Sequence, residues 1–163
     1  MTDGAESYRR FLAGRPLPGC DTPYSDEYYR FFFLNQDWLE EYALYRAAQK
    51  ENGGLPWNQW PAPLRLRRPQ ALEELKERQE EEIGFWEFVE YLFWKQWKAL
   101  RAYAASKGVK ILGDMPIYVS MDSAATWAGG PLFQIVGQGH PTRVAGCPPD
   151  YFSEDGPFWG NPL

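Results

Sequence analysis

Apolar residues recur at helical spacing through the middle of the chain. From about residue 26 to residue 49 they appear every three or four positions, as at Trp38 and Tyr42. This period predicts a helix with one buried face. Asn35 and Asp37 are each suitable N-caps for a second helix within the range, because a short polar side chain accepts the free N–H groups of a first turn. The pattern therefore predicts one or two helices before residue 50.

A longer helical pattern runs from about residue 70 to residue 107, with apolar positions such as Phe85 and Phe93 at steps of three or four. Gly108 predicts a left-handed C-cap. The stretch between these two helical patterns, LPWNQWPAPLRLRRP (residues 55–69), contains four prolines, each of which removes a backbone donor. We expect this connection to contain no regular helix.

Residues 109–112 form a short β-branched run bounded by glycines, which predicts a buried strand that residues 117–119 extend. A helix that leads directly into such a strand is half of a βαβ unit, so the fold class is α/β. We divide the chain into an irregular leader (1–25), a mainly helical subdomain (26–108) and a strand followed by loops (109–163).

Composition excludes several classes of partner. The 163 residues carry 17 Lys and Arg against 22 Asp and Glu, a net charge of −5 that disfavours nucleic-acid binding. No apolar run is long enough to span a membrane, and the N-terminus lacks an apolar signal core, so we expect a cytoplasmic protein. Cys20 and Cys147 are expected to be reduced thiols, and His140 stands alone without further metal ligands nearby.

Two stretches carry candidate chemistry. Asp114 follows the expected strand, where it would either bind a substrate or cap a turn, and its position favours neither. The segment VAGCPPDYFSEDGPFWGNPL combines aromatic rings with short polar side chains, as a sugar site requires. A loop packed by its own aromatics is the alternative, and composition alone favours that alternative. Trp57 and Trp60 also look like a sugar platform, but more often such residues pack over a helix.

Three motifs resemble one enzyme family. The stretches GDMPIYVSMDSAATWA, VAGCPPDYF and WGNPL are similar to those of the 4-α-glucanotransferases of glycoside hydrolase family 77, which include amylomaltases and plant disproportionating enzymes. The stretches NQDWLEEYALYRA, GLPWNQWPAPLRLR and EYLFWKQWKALRAYAASKGVKILGD extend the resemblance over roughly residues 26–163. One departure is Ala125, where the family usually has an acidic residue.

The resemblance implies a (β/α)₈ barrel with large insertions, of which this chain would be an incomplete segment, since a barrel takes about 250 residues. It implies a retaining reaction that moves an α-1,4-glucan segment through a covalent glycosyl-enzyme to the 4-hydroxyl of an acceptor glucan or glucose. No metal or organic cofactor is implied. The nucleophile, the acid/base and a third catalytic aspartate would lie outside this chain, in the rest of the barrel.

The resemblance also implies site residues for an α-1,4-glucan or maltooligosaccharide. Asp114 would be a supporting carboxylate near the catalytic centre, and residues 146–150 would cover the cleft. The expected substrate-binding set is Asp114, Tyr118, Ser123, Pro148, Asp150, Tyr151, Trp159, Gly160 and Asn161.

Two other hypotheses are compatible with these residues. The chain would be a stand-alone, non-catalytic α-glucan-binding or interaction module if its aromatic surface acts alone. It would be a different α/β enzyme if Asp114 and Asp150 formed a pair of catalytic carboxylates.

Overall fold

The computed structural model describes residues 4–13, 26–137, 139–149, 151, 156 and 158–163. The chain forms two compact units, and the division between them falls inside one long helix. The first unit comprises Met1–Ala43 and Glu80–Leu112, and the second comprises Leu44–Gln79 and Gly113–Leu163. The predicted division at residues 25 and 108 stays a prediction.

Helices account for most of the described residues, and the strands are short. The helices are α1 (Gly4–Leu12), α2 (Asp26–Glu51), α3 (Ala62–Arg65), α4 (Pro69–Arg78), α5 (Glu80–Ser106) and α6 (Ala124–Ala128), with 3₁₀ turns at Trp57–Gln59 and Gly130–Leu132. The strands are β1 (Ile135–Val136), β2 (His140–Pro141), β3 (Val144–Gly146) and β4 (Phe158–Pro162), paired as two antiparallel hairpins, β1 with β2 and β3 with β4.

Aromatic side chains build the core of the first unit. Phe11 of α1 lies against Phe88 of α5 with ring centroids 4.5 Å apart, and Tyr8 lies 5.6 Å from the same ring. A Cβ at Gly84 would collide with the Tyr8 hydroxyl, so glycine permits this close approach. The irregular leader was therefore the wrong prediction for residues 4–12, because Tyr8 and Phe11 give the segment an apolar face that the core buries.

The first long helical pattern is one uninterrupted helix, α2, not two. The Asn35 amide donates to the carbonyl of Phe31 at 2.7 Å and accepts from Trp38 Nε1 at 3.0 Å. Because its side chain bonds within the helix, Asn35 does not cap a new one. The helix ends at Glu51, close to the predicted end near residue 49. Gly53 and Gly54 follow it with left-handed φ angles of 67° and 77°.

The second long pattern is two helices, which corrects the prediction of one. The break falls at Gln79, the C-cap of α4, whose side-chain amide donates to Glu51 Oε2 at 2.7 Å. The predicted left-handed cap at Gly108 is confirmed by its φ of 70°. The proline-rich connection does contain a short helix, α3, contrary to expectation. Pro63 lies in the first turn of α3, where no backbone donor is required.

The predicted strand at residues 109–112 is wrong, and so is its extension at 117–119. Both segments lack regular secondary structure, and Leu112 is 98% exposed. A strand needs a neighbour to satisfy its backbone groups, and no strand among the described residues pairs with this run. The predicted parallel sheet is thus not formed within the described part of the chain.

Two expectations from composition, the reduced cysteines and the lack of a membrane span, can be compared with the structure only for the described residues. Cys147 is a free, exposed thiol, whereas Cys20 lies outside the described residues. None of the described helices combines the length and apolarity needed to cross a membrane.

A partly buried carboxyl group, that of Glu87, makes the first unit sensitive to pH. Burial, with a smaller contribution from the nearby Glu40 carboxylate, raises the pKa of Glu87 from 4.5 to about 7. Below pH 4.5 the group is protonated in both folded and unfolded chains. Between 4.5 and 7 only the unfolded chain ionises, so the free energy of unfolding falls over this window and stays lowered above it.

We expect Glu87→Gln to raise the free energy of unfolding at pH 8 by about 1–2 kcal/mol, after allowance for solvent screening, and to change it little at pH 4. Urea unfolding at both pH values measures the difference. Glu77→Gln, at an exposed position of α4, is the matched control. Equal effects of the two substitutions at pH 8 would show that the Glu87 carboxyl is not destabilising.

Candidate functional site

A cavity of about 420 Å³ lies in the second unit and contains three of the predicted site residues. Three separate segments line it: residues 56–59, which include the 3₁₀ turn, residues 120–122, which precede α6, and residues 159–161 of β4. Polar groups and the two indoles of Trp57 and Trp159 thus surround a space of a size that accommodates a small organic ligand.

An irregularity in β4 determines how its side chains are presented. The register between β3 and β4 shifts between the Val144–Pro162 and Gly146–Phe158 pairs. Gly160 lies within the shift with a φ of 73°, a left-handed conformation that favours glycine. Residues 159 and 161 consequently flank a bulge beside the cavity.

The structure brings Tyr118, Trp159 and Asn161 together. The rings of Tyr118 and Trp159 lie 5.7 Å apart at an angle of 49°. The two side chains are 38% and 50% exposed, so each keeps part of its apolar face accessible. The Asn161 Nδ2 donates to the carbonyl of Val119 at 2.8 Å, which attaches β4 to the segment before α6.

Asp122 is a central residue of this site, although its acidic side chain alone does not distinguish it in the sequence. Its Oδ1 accepts from the Tyr45 hydroxyl at 2.6 Å and from the backbone N–H of Trp57 at 3.1 Å. Its Oδ2 accepts from Gln49 Nε2 at 3.4 Å. Burial, followed by the hydrogen bond to Asp122, raises the pKa of Tyr45 well above its usual range. Tyr45 therefore remains a hydrogen-bond donor throughout the neutral pH range.

One feature of the sequence points toward this arrangement. Tyr45 and Gln49 are four residues apart on α2, so they lie on the same face of the helix. Two polar groups so placed on a largely apolar helix suggest a common hydrogen-bond acceptor. The identity of that acceptor, 77 residues later in the chain, depends on the tertiary fold.

The indole of Trp57 reinforces the contact between the first two lining segments. Its Nε1 lies 2.7 Å from the carbonyl of Met121 and 3.2 Å from Thr126 Oγ1. Trp57 and Trp60 are only 5% and 1% exposed. The interpretation of these two residues as a sugar platform is therefore wrong, and the packing interpretation is confirmed.

Ser123 acts as the N-cap of α6. Its Oγ donates to the carbonyl of Ser120 at 2.7 Å and accepts from the backbone N–H of Thr126 at 3.3 Å. The hydroxyl thus closes the first turn of this five-residue helix. A contact between Ser123 and a glucan stays a prediction.

Other predicted site residues lie apart from the cavity lining. Asp114 is exposed, and its Oδ1 accepts from the N–H of Met115 at 2.9 Å. Its substrate-binding and turn-capping roles both stay predictions. Pro148 is exposed, and Tyr151 is 96% exposed. Asp150 lies outside the described residues. Asp114, Pro148 and Tyr151 are therefore not among the residues that line the cavity beside Trp159.

The described side chains form no cluster of metal ligands. Among the described residues, no three His, Cys, Asp or Glu side chains converge closely enough to hold a metal ion. The chemistry that the cavity offers is hydrogen bonding together with contact against an aromatic face.

Comparison with known proteins places this geometry in context. The sequence profile described as 4-alpha-glucanotransferase, glycoside hydrolase family 77, matches residues 12–163. A 4-alpha-glucanotransferase from Thermus thermophilus is 54% identical over 126 residues, which cover 77% of this chain and 25% of that protein. One from Clostridium butyricum is 37% identical over 139 residues, covering 85% of this chain and 28% of that protein.

A solved structure agrees with these relatives. The amylomaltase from Streptococcus agalactiae in complex with acarbose superposes with a TM-score of 0.78 at 36% identity, over 82% of this chain and 27% of that chain. The chain thus has the fold of part of an amylomaltase. It belongs to the 4-alpha-glucanotransferase family, glycoside hydrolase family 77. It spans about a quarter of the length of the curated relatives it matches.

The capping role of Ser123 is directly testable. We expect Ser123→Ala to lower the free energy of unfolding by about 1 kcal/mol, because the first turn of α6 loses its side-chain acceptor. Ser123→Thr retains a hydroxyl and is expected to stay close to the unsubstituted protein. Urea unfolding compares the two variants. A loss as large for threonine as for alanine would argue against the cap.

Proposed function

We propose that this chain is the glucan-contacting segment of a 4-alpha-glucanotransferase. The enzyme moves an α-1,4-glucan segment from a donor to the 4-hydroxyl of an acceptor glucan or glucose, with retention through a covalent glycosyl-enzyme. The chain forms part of its (β/α)₈ barrel. Membership of the family supports this proposal over a stand-alone binding module and over an unrelated α/β enzyme.

The cavity beside Trp159 is the observation that carries the proposal. A pyranose ring has apolar faces of C–H groups and a rim of hydroxyls. The half-exposed ring of Trp159, next to Tyr118, suits such an apolar face. Asn161 and the polar groups of residues 120–122 suit the hydroxyls. The related amylomaltase was solved with acarbose, which supports an oligosaccharide as the ligand class.

Further glucan contacts are part of the proposal. Asp114 is its supporting carboxylate near the catalytic centre, and residues 146–150 form the loop that covers the cleft. Gly160 and Ser123 contribute backbone or hydroxyl groups near the cavity. Pro148, Asp150 and Tyr151 contact glucose units farther along the chain of the substrate. The catalytic nucleophile and the acid/base belong to other parts of the barrel, and the reaction takes no metal or organic cofactor.

Glucan affinity tests the aromatic part of the site. We expect Trp159→Ala to weaken maltoheptaose binding about tenfold in isothermal titration, which corresponds to about 1.4 kcal/mol of lost contact. Trp38→Ala removes an indole of similar exposure, 46%, from the first unit and is the matched control. Equal affinities for both variants would exclude Trp159 from the binding surface.

The location of the catalytic carboxylates is tested by activity. We expect the 163-residue chain, incubated with maltotriose, to release no glucose and to form no longer maltodextrins, because the nucleophile is supplied by the rest of the barrel. Product analysis by chromatography measures both species. Formation of either product by the chain alone would overturn the claim that the nucleophile lies elsewhere in the barrel. The proposal that the chain binds maltoheptaose would still stand.

A further inference from the structure

The lining of the cavity is assembled from segments that are distant in sequence. Residues 56–59 and 120–122 contribute two of its sides, and no strand pairing among the described residues connects them. Hydrogen bonds from individual side chains therefore set the separation between these two sides.

Asp122 provides the most connected of these attachments. Its Oδ1 accepts the backbone N–H of Trp57 at 3.1 Å, which is a direct bond from one side of the cavity to the other. The Trp57 indole returns a second bond at 2.7 Å to the carbonyl of Met121, the neighbour of Asp122. The two bonds together fix both the distance and the orientation of residue 57 relative to residues 121–122.

The helix α2 fixes the orientation of the Asp122 carboxylate. Tyr45 donates to Oδ1 at 2.6 Å, and Gln49 donates to Oδ2 at 3.4 Å. The Tyr45 ring itself packs against both Trp60 and Trp127, at centroid distances of 5.5 and 6.0 Å. The two oxygens together accept three hydrogen bonds, from Tyr45, Trp57 and Gln49, which fix the carboxylate in one orientation.

The third side of the cavity depends on the same segment. Asn161 donates to the carbonyl of Val119, three residues before Asp122. A displacement of residues 119–122 would therefore move Trp159 and Trp57 relative to each other. Binding sites lose affinity steeply when their contacting groups shift by about 1 Å.

We propose that Asp122 is a positioning residue of the glucan cavity, which holds residues 56–59 and 120–122 at the separation that glucan binding requires. This inference rests on the proposed function. Asp122 acts through Trp57 and through the backbone of its own segment.

The variants form a graded series. Asp122→Ala removes every acceptor. Asp122→Asn keeps Oδ1 for Tyr45 and Trp57 but presents an amide donor toward Gln49 in place of Oδ2. Tyr45→Phe keeps the ring that packs against Trp60 and Trp127 and removes only its hydroxyl. Asp37→Ala, at an exposed position of α2, is the matched control.

Two measurements separate the network from glucan binding. The indole ¹H–¹⁵N resonance of Trp57, assigned with Trp57→Phe, reports the bond to Met121 without any ligand. Isothermal titration with maltoheptaose reports affinity. We expect Asp122→Ala to shift the Trp57 resonance and to weaken binding about tenfold or more. We expect about threefold weaker binding for both Asp122→Asn and Tyr45→Phe, and no change for Asp37→Ala.

The outcomes are distinguishable. Unchanged maltoheptaose affinity in Asp122→Ala, with the unsubstituted protein binding, would overturn the positioning role and leave the proposed function intact. No binding by the unsubstituted protein would overturn the proposed function and this inference with it. If Asp122→Ala does not fold, Tyr45→Phe decides, since unchanged affinity in that folded variant, together with a shifted Trp57 resonance, contradicts the proposal.

Discussion

The hydrogen bonds accepted by the Asp122 carboxylate organise the second unit. They join one face of α2 to the 3₁₀ turn that contains Trp57 and to the segment before α6. Two-stranded hairpins and a five-residue helix have little stability of their own, because each satisfies few backbone groups. The Asp122 carboxyl group, with three donors from distant parts of the sequence, links these short elements through side-chain hydrogen bonds. The buried indole of Trp60 packs against Tyr45, one of the three donors.

Local sequence signals predicted the helices more successfully than the strands. Apolar spacing and glycine caps locate α2 and the end of α5, because both depend on residues within a few turns of each other. The strand expected at residues 109–112 failed for the converse reason, since strand formation requires a partner elsewhere in the fold. The break at Gln79 also escaped prediction, because it accompanies a side-chain bond to Glu51, 28 residues away.

The candidate site shows the same contrast between local signals, which the sequence reveals, and long-range contacts, which it does not. Trp159 and Asn161 could be proposed as candidates from the sequence because an aromatic and an amide side chain lie close together in one short motif. Asp122 could not be singled out in this way, because its hydrogen-bond donors are residues 45, 49 and 57, which are distant in sequence. An aspartate by itself is too common a residue to indicate a site. Family resemblance supplied the substrate class, which neither composition nor spacing contains. The departure at Ala125 falls at an exposed position of α6, and nothing in the structure explains it.

The exposed run at residues 109–112 has a consequence for solubility. Val109, Ile111 and Leu112 are 58%, 46% and 98% exposed, and such apolar, β-branched segments readily pair with copies of themselves. Lys110 places a positive charge inside the run, where two copies aligned edge to edge would bring like charges together. In such an alignment the repeated charge opposes pairing of the run with its copy.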